Sequence, residues 1–481
     1  MRSGFPRDKL SRERWLLLAG ILVFVGVSVW WLTQDDRVQA SDDAYHTLIA
    51  FGIHDQLASG NLTGWFTEFN TYPPLVHVLG AIAVFIAGKS PMAVIIASNV
   101  VFVPLLAVSC YGVGRLAYGP WAGLLAGLFA LGTPIFVSQM HMFMLDPSEA
   151  AMVAAGVWAI LASRRFQHIG LAALAGVLVG LAMMTKSTSV IFVAGPVAVA
   201  FARGGWRNWR GLTLFMAIAA AIALPWYVYH LHQLNGLVEG QGGTGASASP
   251  ESAPPLFSRA SLLWYFWAAL NIQLLAPLVI FLAIGVVFAL IDCRRRSPEN
   301  LSPELLAGLF VSWLGITLIR HKDPRFTLPA LVFVAVVATG WIVTVRPRVR
   351  TAATIALGVV LAADFFGTSM GLGRVVRIGK GRSSETSALH TRQITFYSPE
   401  GWVRGGPEND GDILALMRGL KRAGVKTITF DAGSTAGSPD FSAYGLAVRA
   451  IQVGLPPTTV YNPRRAQPKR RLHAVARRAA G

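Results

Sequence analysis

Long apolar runs, separated by short polar breaks, fill the chain from its N-terminal region to about residue 368. They cover 15–32, 74–88, 92–114, 120–139, 148–163, 168–184, 188–203, 210–229, 263–291, 304–320, 326–346 and 351–368. Runs of this kind predict a polytopic α-helical membrane protein. Many are rich in Ala and Gly, which suits close helix packing in lipid. The first run follows a basic N-terminus and lacks a small-residue cleavage site, so it predicts a signal anchor and first span.

Composition agrees with the pattern. Of the 481 residues, 53% are hydrophobic and 14% are charged, against about 25% charged in a soluble domain. Mean hydropathy is +0.51. A soluble enzyme and a disordered chain are excluded. So is a nucleic-acid binder, despite a net charge of +18, because an excess of bases in a membrane protein belongs to cytoplasmic loops and anionic headgroups. Two cysteines, Cys110 and Cys293, make no disulfide framework, and the histidines form no HExxH-like cluster.

Charge also sorts the runs by side. Arg2, Arg7, Lys9, Arg12 and Arg14 put the N-terminus in the cytoplasm. Arg115, Arg164/Arg165, Arg203/Arg207/Arg210, Arg294/Arg295/Arg296 and Arg346/Arg348/Arg350 join them there only if one early run does not cross. The run 74–88 is short, begins at Pro73-Pro74 and carries His77. It is assigned as an interfacial or re-entrant helix on the outer side. About eleven crossings remain, with the C-terminus outside.

Three segments then face outward, 33–91, 140–147 and 321–325, together with Lys186. The first holds Ser41-Asp42-Asp43-Ala44-Tyr45-His46, and adjacent carboxylates repel unless a cation, a base or an acceptor proton stabilises them. The second holds Asp146 before Pro147 at membrane depth, a functional candidate by default and also a good helix cap. The third reads Arg320-His321-Lys322-Asp323-Pro324-Arg325-Phe326. Its bases, and Lys186, read either as a phosphate site or as anchors on lipid headgroups. A phosphate held by bases beside a carboxylate that can take a proton suits group transfer from a lipid-linked phosphate.

At these four places, in order, the chain resembles the GT-C glycosyltransferases, in the branch of the protein O-mannosyltransferases and the lipid A aminoarabinose transferase. Asp42-Asp43-Ala44-Tyr45 is similar to the first-loop Asp-Glu motif. Tyr72-Pro73-Pro74-Leu75 is similar to a Lys/His-Pro-Pro-Leu segment. Leu145-Asp146-Pro147 resembles the second-loop acidic motif. His321–Pro329 resembles a Lys-Asp/Glu-x-Arg-Tyr/Phe-x-x-Pro motif. The resemblance covers about residues 10–370. It implies an inverting transfer at the outer face of a plasma or inner membrane. The donor would be a polyprenyl-phosphate sugar, and the acceptor a hydroxyl of a lipid, glycan or protein. Asp42 would be the general base, with Asp43 and Asp146 supporting it or holding a divalent metal, which some relatives bind. Arg325, Lys322, Arg320 and Lys186 would hold the donor phosphate, and Tyr45, Tyr72 and His321 would contact substrate. Tyr72 stands where the family often has Lys, and Asp43 where it has Glu. A transporter or flippase of a lipid-linked substrate is the alternative. No internal repeat is evident, and the informative acids lie at the surface rather than the midplane.

Residues 1–368 thus form the transmembrane module. Residues 369–462 predict a small soluble α/β domain, with a helix from Ile413 to Arg422 preceded by Asp412 and closed by Gly424, a strand over Lys426–Asp431 and a helix near Phe441–Gln452. The segment Gly236–Ser261, rich in Gly, Ser, Ala and Pro, reads as a lid or a plain connector. Residues 463–481 read as a basic tail.

Overall fold

The computed structural model describes residues 11–35, 39, 41–67, 72–231, 254–295, 297, 299–379, 393–399, 410–425, 428–429, 443–455 and 460–461. The basic residues Arg2–Lys9, most of the segment Gly236–Ser261, most of the expected strand over Lys426–Asp431 and the basic tail lie outside these.

The apolar runs become helices, with α1 Arg12–Gln34, α2 Ser41–Ala58, α3 Gly64–Thr67, α4 Leu75–Ala87, α5 Pro91–Tyr118, α6 Pro120–Gly132, α7 Pro134–Met140, α8 Leu145–Ala162, α9 Ile169–Met183, α10 Ser189–Ala202 and α11 Trp209–Tyr229. After the connector come α12 Arg259–Ala268, α13 Leu275–Cys293, α14 Ser302–Thr317, α15 Leu331–Gly340 and α16 Pro347–Met370. Among the described residues, seven helices are long and apolar enough to cross a membrane. A further pair, α6 and α7, is bent by 58° at Thr133. Counting that pair once gives eight, and the eleven crossings expected from sequence would need three of the four shorter apolar helices, α4, α9, α10 and α14, as well.

Two runs depart from the expected continuous helix. The run 120–139 bends where Pro134 cannot continue the ladder of α6. The run 263–291 breaks at a π-helical turn, Ala269–Gln273, followed by Leu275 at φ +64°. Pro277, in the first turn of α13, is the sequence signal for that break.

Helix α8 is the hub. It is apolar on every side after Glu149 and packs against α5, α9 and α10, so nearly all of it is buried. Tight crossings around it rest on glycine. A Cβ on Gly285 of α13 would lie 1.9 Å from the Val337 carbonyl of α15, and one on Gly195 of α10 would lie 2.4 Å from the Ala307 carbonyl of α14.

The C-terminal region contributes α17 Asp410–Arg422, α18 Ala443–Gln452, and two small sheets. Strands β1 Val376–Ile378 and β2 Ile394–Tyr397 pair antiparallel, while β3 Ile428–Thr429 and β4 Val460–Tyr461 pair parallel. Gly424, at φ +68°, follows α17 as expected. Met417, Leu446 and Ala450 form a separate small core between α17 and α18. Helix α18 also lies on α2, which ties this region to the end of the bundle that carries Asp42 and Asp43.

Candidate active site

Asp42 and Asp43 occupy the first turn of α2, where the free N–H groups of a helix favour carboxylates. They point to different surroundings. Asp43 is buried, and its Oδ1 accepts from the backbone N–H of Phe143 (2.7 Å) and from Gln39 Nε2 (2.7 Å). Asp42 is 57% exposed, and its Oδ2 accepts from Arg325 Nη2 at 2.6 Å.

Arg325 projects from the 3₁₀ turn Pro324–Ala330, which Asp323 caps by accepting from the Arg325 backbone N–H at 3.0 Å. Gln273, in the π turn between α12 and α13, donates to the Pro324 carbonyl (2.5 Å) and to Thr327 Oγ1 (2.7 Å). The helix break therefore braces the arginine-bearing turn, a common use of π segments at functional sites. Arg325 Nε lies 3.1 Å from Asp323 Oδ2 and 4.0 Å from Asp146 Oδ2. It is buried, yet it makes a well-aligned hydrogen bond to neither.

Asp146 lies in the first turn of α8 but caps nothing; the cap position is Met144. Its Oδ1 instead accepts from Lys186 Nζ at 2.6 Å. Lys186 sits between α9 and α10, with its ammonium 4.7 Å from the centre of the Phe326 ring. Burial pushes the ammonium toward neutrality, but Asp146 and Glu149 more than reverse this and hold it charged. Glu149, one turn further along α8, is buried and accepts from Thr188 Oγ1 (2.7 Å) and Ser189 Oγ (3.0 Å). It anchors the loop that presents Lys186.

Behind Asp42 lies an aromatic cluster. Tyr45 and Tyr72 have ring centres 6.4 Å apart, and Tyr444 of α18 lies 5.2 Å from Tyr45. His46 packs edge-on to Tyr72 at 4.9 Å, and its Nδ1 is 3.0 Å from Nε2 of His77. Burial, with help from Arg325 and Lys186, holds His46 down to about 3, and burial holds His77 well below its usual range. The pair is neutral, one ring donating to the other.

The candidates thus divide. Asp42, Asp43, Asp146, Lys186 and Arg325 converge, with Tyr45 and Tyr72 beside them. Lys322 does not offer its ammonium to this group, because Nζ donates to the Thr317 and Ile319 carbonyls at the end of α14. Burial lowers it to about 8. His321 packs against Phe326 at 5.8 Å. Arg320 is half-buried and has no acidic partner among the described residues. Glu149, His46 and Tyr444 are site residues that the sequence reading did not assign. An acid at membrane depth, three positions after Asp146, was a usable signal for Glu149. Nothing in the sequence marks Tyr444.

A metal held by Asp43 and Asp146 does not fit these partners. Asp43 is already bonded to two N–H donors, Asp146 is paired with Lys186, and no group of three His, Cys, Asp or Glu converges among the described residues.

Residues 71–230 match the family model of dolichyl-phosphate-mannose-protein mannosyltransferases, about a third of the chain. That segment contains Tyr72, Asp146 and Lys186. ArnT from Cupriavidus metallidurans bound to undecaprenyl phosphate superposes with a TM-score of 0.52 at 18% identity, over 73% of this chain and 66% of ArnT. The apo oligosaccharyltransferase of Archaeoglobus fulgidus gives 0.53 at 14% identity, over 95% of this chain and 65% of that one. The chain shares the membrane fold of these two structures. It spans just under two thirds of their length. Comparison with curated proteins gives no match.

Proposed function

We propose that the protein is a membrane glycosyltransferase that moves a sugar from a polyprenyl-phosphate donor to an acceptor hydroxyl. The observation that carries this reading is Arg325. It is a half-buried guanidinium bonded to the exposed carboxylate of Asp42, with its Nε beside Asp323 at 3.1 Å. A phosphate can replace the exposed Asp42 carboxylate on that guanidinium, and Lys186 adds a second fixed charge nearby. The ArnT structure holding undecaprenyl phosphate, and the lipid-phosphate family that matches residues 71–230, support the donor class.

Phosphate and Asp42 compete for Arg325 on this reading. Donor binding draws the guanidinium toward the phosphate and releases the Asp42 carboxylate. The acceptor oxygen attacks the anomeric carbon and its proton passes to Asp42. The bond from that carbon to the phosphate oxygen breaks, and the polyprenyl phosphate leaves with the electron pair, its charge held by Arg325 and Lys186. A single displacement of this kind inverts the anomeric centre. Asp43, fixed by the Phe143 amide, sets the first turn of α2 rather than taking the proton. Tyr45, Tyr72 and Tyr444 offer flat apolar faces for the sugar or acceptor. Arg320 and His321 remain candidates at the rim. The arrangement of basic breaks supports an outer-face site in a plasma or inner membrane.

Asp42→Asn tests this directly. Transfer from a polyprenyl-phosphate sugar should fall by about 10²–10⁴-fold, the usual weight of a general base, while polyprenyl phosphate still binds. Undiminished turnover removes Asp42 from the chemistry.

A further inference from the structure

Helix α2 leads from Asp42 to a second polar feature at its other end. Thirteen residues on, about 20 Å along the helix, Asp55 is paired with Lys89 at 2.7 Å. Lys89 lines a cavity of about 640 Å³ together with Arg418, Lys421 and Arg422 of α17 and with Gln452 and Val453 at the end of α18. Arg418, Lys421 and Arg422 fall on one face of α17, where like charges repel. Lys421 donates to the Val453 carbonyl at 2.6 Å, and Lys89 has Asp55. Arg418 and Arg422 are exposed and have no acidic partner among the described residues.

The apolar surface next to this cavity points to its ligand. Lys89 follows directly on α4, whose Ile82, Phe85 and Ile86 are 49%, 52% and 82% exposed. A bare apolar helix face that ends at a cluster of cations is the layout of an interfacial site, with acyl chains on the face and an anionic headgroup at the charges. We propose that this cavity binds the phosphate headgroup of an anionic lipid, whose chains run along Ile82, Phe85 and Ile86. The inference is independent of the transfer chemistry, since neither Arg418 nor Arg422 belongs to the Asp42 site.

The test uses the full-length protein in lipid-free detergent, titrated separately with phosphatidylglycerol, with phosphatidylcholine of the same chains and with glycerol phosphate. Phosphatidylglycerol should bind at least tenfold more tightly than the other two. The double variant Arg418→Gln/Arg422→Gln should weaken it on the order of 10- to 30-fold, and Arg418→Lys/Arg422→Lys should restore most of the loss. Unchanged binding by the Gln variant overturns the proposal. Glycerol phosphate binding as tightly as the lipid makes this a soluble-phosphate site and overturns the lipid assignment. A check on the parent protein needs no variant. Phosphatidylglycerol with a photoreactive headgroup should label the α17 segment, and labelling confined to other segments counts against the cavity.

Discussion

Two arginines in this protein pair with acids and have opposite designs. Arg203, at the end of α10, donates to both oxygens of Glu304 (2.9 and 2.7 Å) and to the carbonyls of Asn300 (2.5 Å) and Ser297 (2.9 Å). Glu304 is almost fully buried, and the guanidinium fastens α10 to the start of α14. Arg325 instead bonds one exposed carboxylate, approaches two others and keeps a buried Nε without a hydrogen bond. Arg203 is committed to a buried acid and to two carbonyls, and has no exposed carboxylate to give up. Arg325, on a turn braced by Gln273 and Asp323, shares an exposed carboxylate that a ligand can displace. Exposure of the partner separates a fastener from a binding group even where both are ion pairs.

This contrast can be broken from either side. The largest effect expected is for Arg325→Ala, which should weaken polyprenyl-phosphate binding by about 10³-fold, near 4 kcal/mol, with little change in thermal stability. Binding titration beside a melting curve measures both, and a large loss of stability with normal binding would make Arg325 a fastener too. Arg203→Ala should do the reverse. It leaves Glu304 buried without its partner and should cost about 3 kcal/mol of stability, read as a lower melting temperature with normal turnover per folded molecule.

The next effect concerns the neutral histidines beneath the site. His46 titrates at about 3 in the folded protein and near 6.5 when unfolded. Between those values the unfolded chain carries the extra proton, so stability is complete above about pH 6.5 and falls as pH drops toward 3. At pH 5 the loss from His46 is about 2 kcal/mol. His46→Gln, which can still bond His77, should flatten the acid limb of a denaturation series; an unchanged slope contradicts the buried neutral pair. The smallest effect is Tyr444→Ala, with about a fivefold rise in KM and little change in kcat, the weight of one aromatic contact. Comparison with Asp42→Asn in the same assay would show that α18 contributes binding and not chemistry.

The bundle was legible because lipid imposes a strong pattern. Nearly every predicted run is a helix within a few residues, and bases that the positive-inside rule would not place between those runs drew attention to Arg325 and Lys186. Pairings were not legible. Asp42 and Arg325 are 283 positions apart, and nothing local says which acid an arginine meets. Lys322 shows the limit most clearly. Its motif implies a phosphate ligand, yet the end of α14 leaves carbonyls without helical partners, and the nearest ammonium fills them. The break at Ala269–Gln273 was masked by hydropathy, because an apolar run reads the same whether its helix is straight or interrupted, and Pro277 was its one local sign.

The hold on Asp43 has a consequence for how such a site diverges. Its partner at Phe143 is a backbone amide, which every residue except proline supplies. No ordinary change at 143 can release Asp43, so that aspartate keeps its place as its neighbour drifts. Asp146 and Lys186 are joined through two side chains and can change safely only together. Across descendants of this chain, position 143 should exclude proline, while positions 146 and 186 should vary as a pair.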